Sequence, residues 1–267
     1  KKKKVISIKE DIHNEKQLLG YLEKEMTIRE PFDNPQFKCV FIPDYQPDKG
    51  LIIVKFHHSF SDGLGVSSFL LSLSDQFDGK DLPGLKPLSF LKKLAIEIQM
   101  PFRMLASAFK VFVSWHNPAP NVMKRGQKLS GIKKAAFKEY IDLEQFKKYA
   151  KLKNCSVNDY ASALLSTAFY EYFEKYDKAP DGKRYPVPDS ILYCMPFSLR
   201  EPVEDLKDIR MSNEISGTVL EMPIRKDIES AITDFKKSMK ACLAALEPFS
   251  LRRHLMLAAM LPYTLSK

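Results

Sequence analysis

A run of β-branched and aromatic residues, Leu51-Ile52-Ile53-Val54-Lys55-Phe56, leads directly into His57-His58-Ser59-Phe60-Ser61-Asp62-Gly63. This junction constrains the fold more than any other stretch of the chain. The apolar run reads as a strand, and the polar residues and glycine after it end the strand and turn the chain. Leu64, Phe69, Leu70, Leu73 and Phe77 then recur at helical spacing up to Asp78-Gly79. Side chains alternate across a strand, which places Ile52, Val54, Phe56 and His58 on one face and Leu51, Ile53, Lys55 and His57 on the other. The two histidines are therefore expected to do different work. A neutral imidazole at the end of an apolar strand suits general-base chemistry, because its ordinary pKa of about 6.5 lies near neutrality. Asp62 could orient a ring nitrogen or hold the turn through a basic partner, and Gly63 would let the backbone turn tightly.

Upstream, Glu15 to Glu30 reads as a helix with Leu18, Leu19, Tyr21, Leu22 and Met26 as its apolar positions, stopped by Pro31-Phe32-Asp33-Asn34-Pro35. Lys38 to Pro43 reads as a strand, Asp44 to Gly50 as a polar loop, and Leu51 to His57 as the returning strand of a hairpin. After a loop from His116 to Gly131 come a strand at Ala135 to Leu143, a helix at Glu144 to Lys153 and a second helix from Val157 to Tyr176. Pro180 to Pro188 reads as a proline-rich loop, Ile191 to Met195 and Ile215 to Leu220 as strands, and Asp227 to Leu246 as an amphipathic helix. Most of these strands neighbour hairpins or loops instead of alternating with helices. The expected fold class is therefore α/β of the α+β kind, with a mixed sheet and not a doubly wound parallel one.

Between Leu88 and Trp115, Lys92, Gln99, Arg103, Lys110 and Ser114 recur at intervals of seven and four and make one narrow polar stripe. Leu91, Leu94, Ile98, Phe102, Leu105, Phe109, Phe112 and Val113 cover the rest, and Pro101 is expected to kink the middle. Charge interrupts this run too often for it to span a bilayer, which needs about 20 mainly apolar residues. Two readings stand: a helix lying in a membrane interface, or a helix packed in a groove of its own protein.

The formal net charge of +9 favours an anionic partner, but the basic residues are scattered and form no recognisable nucleic-acid module. Cys39, Cys155, Cys194 and Cys242 lie far apart without metal-ligand spacing, so a zinc site has no support and a reducing compartment is the simplest reading. The chain begins with four lysines and no Met and stops just after an apolar segment, so it reads as a piece of a longer protein.

The His57-to-Gly63 run resembles the HHxxxDG motif of the CoA-dependent acyltransferase superfamily, which includes chloramphenicol acetyltransferase and the condensation domains of peptide synthetases. Further segments resemble the wax ester synthase/diacylglycerol acyltransferase family. Ser156-Val157-Asn158-Asp159 before a helix is similar to its Asn-Asp motif. Met195-Pro196-Phe197-Ser198-Leu199-Arg200 is similar to its Pro-Val-Ser-Leu-Arg segment, with Phe197 in place of a small aliphatic. Ser212-Asn213 before a strand resembles its Gly-Asn segment. The landmarks span roughly residues 31 to 223 in family order. A later Asn-Val-Pro-Gly-Pro-like segment is absent, and the family's N-terminal strand is not recognisable.

The resemblance implies a chloramphenicol acetyltransferase-like fold of two α/β halves. Here they are expected at residues 1–125, carrying the motif and the apolar helix, and at 126–267, incomplete. It implies His58 as general base, His57 as a structural neighbour, and Asp62 as a structural carboxylate paired with an arginine, for which Arg200 is a candidate. Asn158 could donate to an oxyanion or hold the site's backbone, although Asn158 and Asp159 also suit a plain helix cap. Ser198 and Asn213 read as ordinary polar loop residues. The implied activity is transfer of a fatty acyl group from acyl-CoA, a co-substrate, to the hydroxyl of a long-chain alcohol or diacylglycerol, giving wax ester or triacylglycerol. No bound cofactor, metal or nucleic acid is expected. A peripheral or anchored location is expected on the cytoplasmic side of the endoplasmic reticulum or plasma membrane, or on a lipid droplet. Two alternatives remain: a superfamily transferase acting on an amine or small acceptor, and a non-catalytic lipid-binding or assembly subunit.

Overall fold

The computed structural model describes residues 5–31, 33–75, 77, 87–116, 121–123, 130–137, 140–178, 182–201, 203 and 205–260. Asp78-Gly79 and the start of the Pro180 to Pro188 loop lie outside them. The chain forms two compact units from interleaved segments: Lys1–Leu82, Lys128–Tyr140 and Val203–Asn213 make the first, and Pro83–Gln127, Ile141–Pro202 and Glu214–Lys267 the second.

The first unit is built on a mixed three-stranded sheet. β1 (Ile6–Ile8) runs parallel to β2 (Phe37–Gln46) with Ile6 opposite Cys39, and β2 runs antiparallel to β3 (Lys49–Phe56) with Phe37 opposite Phe56. β1 is only three residues long and is held by its pairing along β2. The region from Asp44 to Gly50, expected as a loop, is mostly strand, with a tight turn at Pro47-Asp48. Asp48 adopts φ 59°, a left-handed conformation that Asp tolerates. At Gly50 an added Cβ would stand 3.2 Å from the carbonyl oxygens of Ile42 and Pro43, so a side chain there would need the backbone at the irregular register to give by a few tenths of an ångström.

α1 (Glu15–Thr27) is capped by Asn14, whose side chain accepts from the Gln17 amide. Ile12, Leu18 and Ile42 are buried together, with Tyr21, Leu22, Leu51 and Ile53 packed around them, so α1 covers the Leu51/Ile53 face of β3 while Ile52 is 61% exposed. Lys55, on the same face, donates to the Glu25 and Ile28 carbonyls at the end of α1, satisfying groups the helix leaves open. Glu25 sits between Lys38 at 3.0 Å and Lys55 at 3.5 Å. Burial raises its carboxyl pKa, but the Lys38 hydrogen bond and the two ammonium charges outweigh this and hold it below the usual value. Burial, and then the neighbouring Glu25 charge, push the Tyr21 phenol up to about 12.

The strand expected at Ala135 to Leu143 is not formed among the described residues. The Lys133 amide donates to Thr27 Oγ1 and the Ala135 amide to Glu23 Oε1, while Lys134 pairs with Glu23. Side chains of α1 thus take amide bonds that a sheet would otherwise have supplied.

In the second unit β4 (Ser190–Ser198) and β5 (Ile215–Pro223) pair antiparallel along their whole length, Ser190 opposite Pro223 and Ser198 opposite Ile215. Phe173 of α5 (Val157–Lys175) and Phe235 of α6 (Ile228–Ala244) are buried with Met195, Leu220, Met222, Ile224 and Val122. Small residues Ala163 and Ala231, both fully buried, let α5 and α6 approach closely. α4 (Leu143–Leu152) precedes α5, with Phe146 edge-on to Tyr160 at 5.0 Å.

α3 (Phe90–His116) runs on through Pro101, and α7 (Glu247–Met260) is a helix that no sequence pattern announced. At Gly217 of β5 a Cβ would come within 2.8 Å of the Met195 carbonyl oxygen on β4, an approach that the glycine admits, while Leu251 of α7 would lie at ordinary contact distance, 3.5 Å. Glu247, buried at the start of α7, accepts from Thr218 Oγ1 and Lys110 Nζ, each at 2.6 Å. Met100 of α3 is 4% exposed, whereas the opposite side of the helix, with Phe90, Leu91, Leu94, Ile98, Phe102, Leu105, Phe109, Phe112 and Val113, is exposed. The apolar side thus occupies no groove among the described residues. No helix among them is long and apolar enough to cross a membrane.

Candidate active site

β3 ends at Phe56, before the histidine pair, so strand alternation stops one residue short of His57. Residues 57–60 form a turn closed by the Phe60 amide on the His57 carbonyl at 2.9 Å. The His57 amide donates to the Gln36 carbonyl, extending the β2 side of the sheet. Its ring is engaged locally: Nδ1 accepts from the Ser59 amide at 3.2 Å and lies 2.7 Å from Ser59 Oγ. Because an amide must donate, Nδ1 is the acceptor in the neutral ring and the proton resides on Nε2. Since β3 stops before them, alternation does not assign faces to the two histidines: Leu51 and Ile53 pack towards α1, Val54 and Phe56 are half-buried on the other face, and both histidines are exposed.

His58 is exposed, and its imidazole takes no hydrogen bond from the described residues. Its backbone is held instead. Asn213 Nδ2 donates to the His58 carbonyl at 2.9 Å, across 155 residues of sequence. Ser61 Oγ donates to the Ser212 carbonyl at 3.2 Å, and the Asp62 amide donates to the same oxygen at 3.3 Å. Residues 212 and 213 therefore grip the histidine turn at three points along 58–62. Asp62 N-caps α2 (Gly63–Leu71) by accepting from the Gly65 amide at 2.8 Å, and Ser61 and Asp62 are buried. At Gly63 an added Cβ would meet nothing within 4 Å and φ is not left-handed, so the tight turn expected of this glycine is not what it provides.

A cavity of about 400 Å³ opens on the His57 side, lined among others by Arg29, Gln36, Lys38, Lys55, Phe56 and His57. Glu25 and Glu30 balance the charges of its two lysines.

The other candidates belong to the second unit. Ser156 and Asp159 form a reciprocal capping box: the Asp159 amide donates to Ser156 Oγ at 3.1 Å and the Ser156 amide to Asp159 Oδ2 at 3.1 Å. Asn158, in the first turn of α5, is exposed and its amide group bonds to no described residue. The Arg200 guanidinium lies 3.8 Å from Glu214, and its amide donates to Ser198 Oγ at 3.3 Å. Asn213, read from the sequence as an ordinary loop residue, holds the His58 carbonyl, a contact that local pattern does not show. Its only signal was its place in the family order of landmarks.

The chain is similar in fold to solved condensation domains. It superposes on the first condensation domain of the CDA synthetase with a TM-score of 0.57 at 13% identity, covering 91% of this chain and 54% of that one. The same domain of the calcium-dependent antibiotic synthetase, in complex with a substrate analogue, gives a TM-score of 0.56 at 13% identity over 94% and 56%. The fold is that of condensation domains over about half their length. A wax ester synthase/diacylglycerol acyltransferase from Marinobacter aquaeolei VT8 is also matched, with a TM-score of 0.49 at 17% identity over 88% of this chain and 51% of that chain. The chain thus spans about half the length of the solved chains it matches. No protein-family model and no curated protein sequence matches it.

Proposed function

We propose that this chain carries the general-base half of an acyl-CoA-dependent O-acyltransferase. The observation that carries the reading is the exposed His58 imidazole, unbonded among the described residues, on a turn whose backbone is held from 212–213, in an acyltransferase-type fold. A base must present an unengaged ring nitrogen to its substrate yet stand still while doing so, and tethering the carbonyl instead of the ring meets both demands. In the proposed step a His58 ring nitrogen takes the proton of the acceptor hydroxyl as that oxygen attacks the thioester carbonyl. The tetrahedral intermediate then collapses, the carbon–sulfur bond breaks, and the imidazolium returns the proton to the departing CoA thiolate. The acceptor class, a long-chain alcohol or diacylglycerol, is supported by the ordered Asn158-Asp159, Pro196-to-Arg200 and Ser212-Asn213 segments.

The test is thiol release from a long-chain acyl-CoA with a panel of acceptors: a fatty alcohol, diacylglycerol, an amine and a short polar alcohol. Turnover with the lipid alcohols that falls about 10²- to 10⁴-fold in His58→Ala is the expected result. Turnover retained in His58→Ala would remove the base, and preference for the amine would move the chain to another branch of the same fold.

A further inference from the structure

We propose that the outward side of α3 docks on an anionic lipid surface, with Lys92 and Lys93 engaging the headgroups. At about 100° per residue, every residue from 90 to 113 within an arc of about 140° is apolar, centred on Ile98. The arc runs about 35 Å along the helix. Phe102 is 76% exposed and Phe109 71%. Phe102, Phe109 and Phe112 of the arc together expose roughly 400 Å², taking about 200 Å² for a whole side chain, which by itself reaches the size of the largest patch on an ordinary monomer.

Charge decides what covers it. α3 carries Lys92, Lys93, Arg103 and Lys110 against Glu97 alone. Glu97 is neutralised by Arg253 of α7, and Lys110 is taken by Glu247. Lys92 and Lys93 have no ion pair among the described residues, and they flank the arc on opposite sides. Long ammonium side chains beside an apolar arc can reach up to a headgroup plane while the rings enter the acyl boundary. Protein interfaces are depleted in lysine, whereas two lysines without ion pairs among the described residues flank this arc.

Flotation with phosphatidylcholine vesicles, with and without phosphatidylserine, tests this independently of acyl transfer, since it reads binding and not turnover. The chain should float with phosphatidylserine vesicles, and high salt should release it. Lys92→Gln/Lys93→Gln should weaken partition roughly fivefold per lysine, and Phe102→Glu/Phe109→Glu should abolish it with an unchanged far-ultraviolet circular dichroism spectrum. Equal binding to both vesicle types, or flotation undiminished in Phe102→Glu/Phe109→Glu, would overturn the proposal. So would loss of folding in that variant, which would mean the arc packs inside the protein, or a dimer that it splits, which would make the occupant a second copy.

Discussion

The chain has two helix starts that look alike in sequence and differ in the structure. Asp62 begins α2 and Ser156-Asp159 begins α5; in both, a short polar side chain satisfies amides that the first helical turn leaves open. At α5 the bonding is complete within four residues, and no distant side chain among the described residues bonds to Ser156 or Asp159. At α2 the cap belongs to a larger arrangement, because the residues just before it are gripped by Ser212 and Asn213. A capping motif explains itself locally. Only long-range bonds to the same few residues set one of the two apart as the support of the candidate site.

The sharpest way to break this contrast is to remove both caps. Asp62→Ala and Asp159→Ala should each cost about 1 kcal/mol in denaturant unfolding. Thiol release should fall about tenfold or more in Asp62→Ala alone, as the histidine turn loosens. Equal turnover in the two variants would erase the distinction. A smaller effect is expected at Asn213. Asn213→Ala should lower kcat several-fold with KM unchanged, and Asn213→Asp, which keeps the size but aims an acceptor at the His58 carbonyl, should do the same. Stability should change by about 0.5–1.5 kcal/mol in Asn213→Ala, and a rise in KM alone would make Asn213 a substrate contact. The smallest effect lies beneath the turn, where Lys55 joins β3 to α1. The Glu25 pKa is depressed in the folded state, so its contribution is present above the ordinary glutamate pKa of about 4.3 and is lost as pH falls through the lower folded value. Acid unfolding of Glu25→Gln should therefore show a shallower pH dependence in that window than the parent chain; identical profiles would show that the pair of lysines does not stabilise the carboxylate.

The failures of sequence reading share a cause. β1 is three residues long and exists through its pairing with Phe37–Gln46, and the segment from Ala135 gives its amides to Glu23 and not to a strand partner. Asp44 to Gly50 is polar enough to read as a loop, yet the tight turn at Asp48 lets the ladder continue to Gln46–Lys49. Each depends on a partner remote in sequence, which periodicity does not register.

Amphipathic periodicity located α1, α4, α5 and α6 to within a few residues, and β-branched runs located β3, β4 and β5, because those signals are carried by neighbouring side chains. The histidine pair at the end of β3 was also legible, since the motif is contiguous. The tether from Asn213 to the His58 carbonyl was not, nor was the direction in which α3 turns its apolar arc. Hydrogen bonds across 155 residues, and the choice of which helix face meets water, arise only when the folded chain brings distant surfaces together.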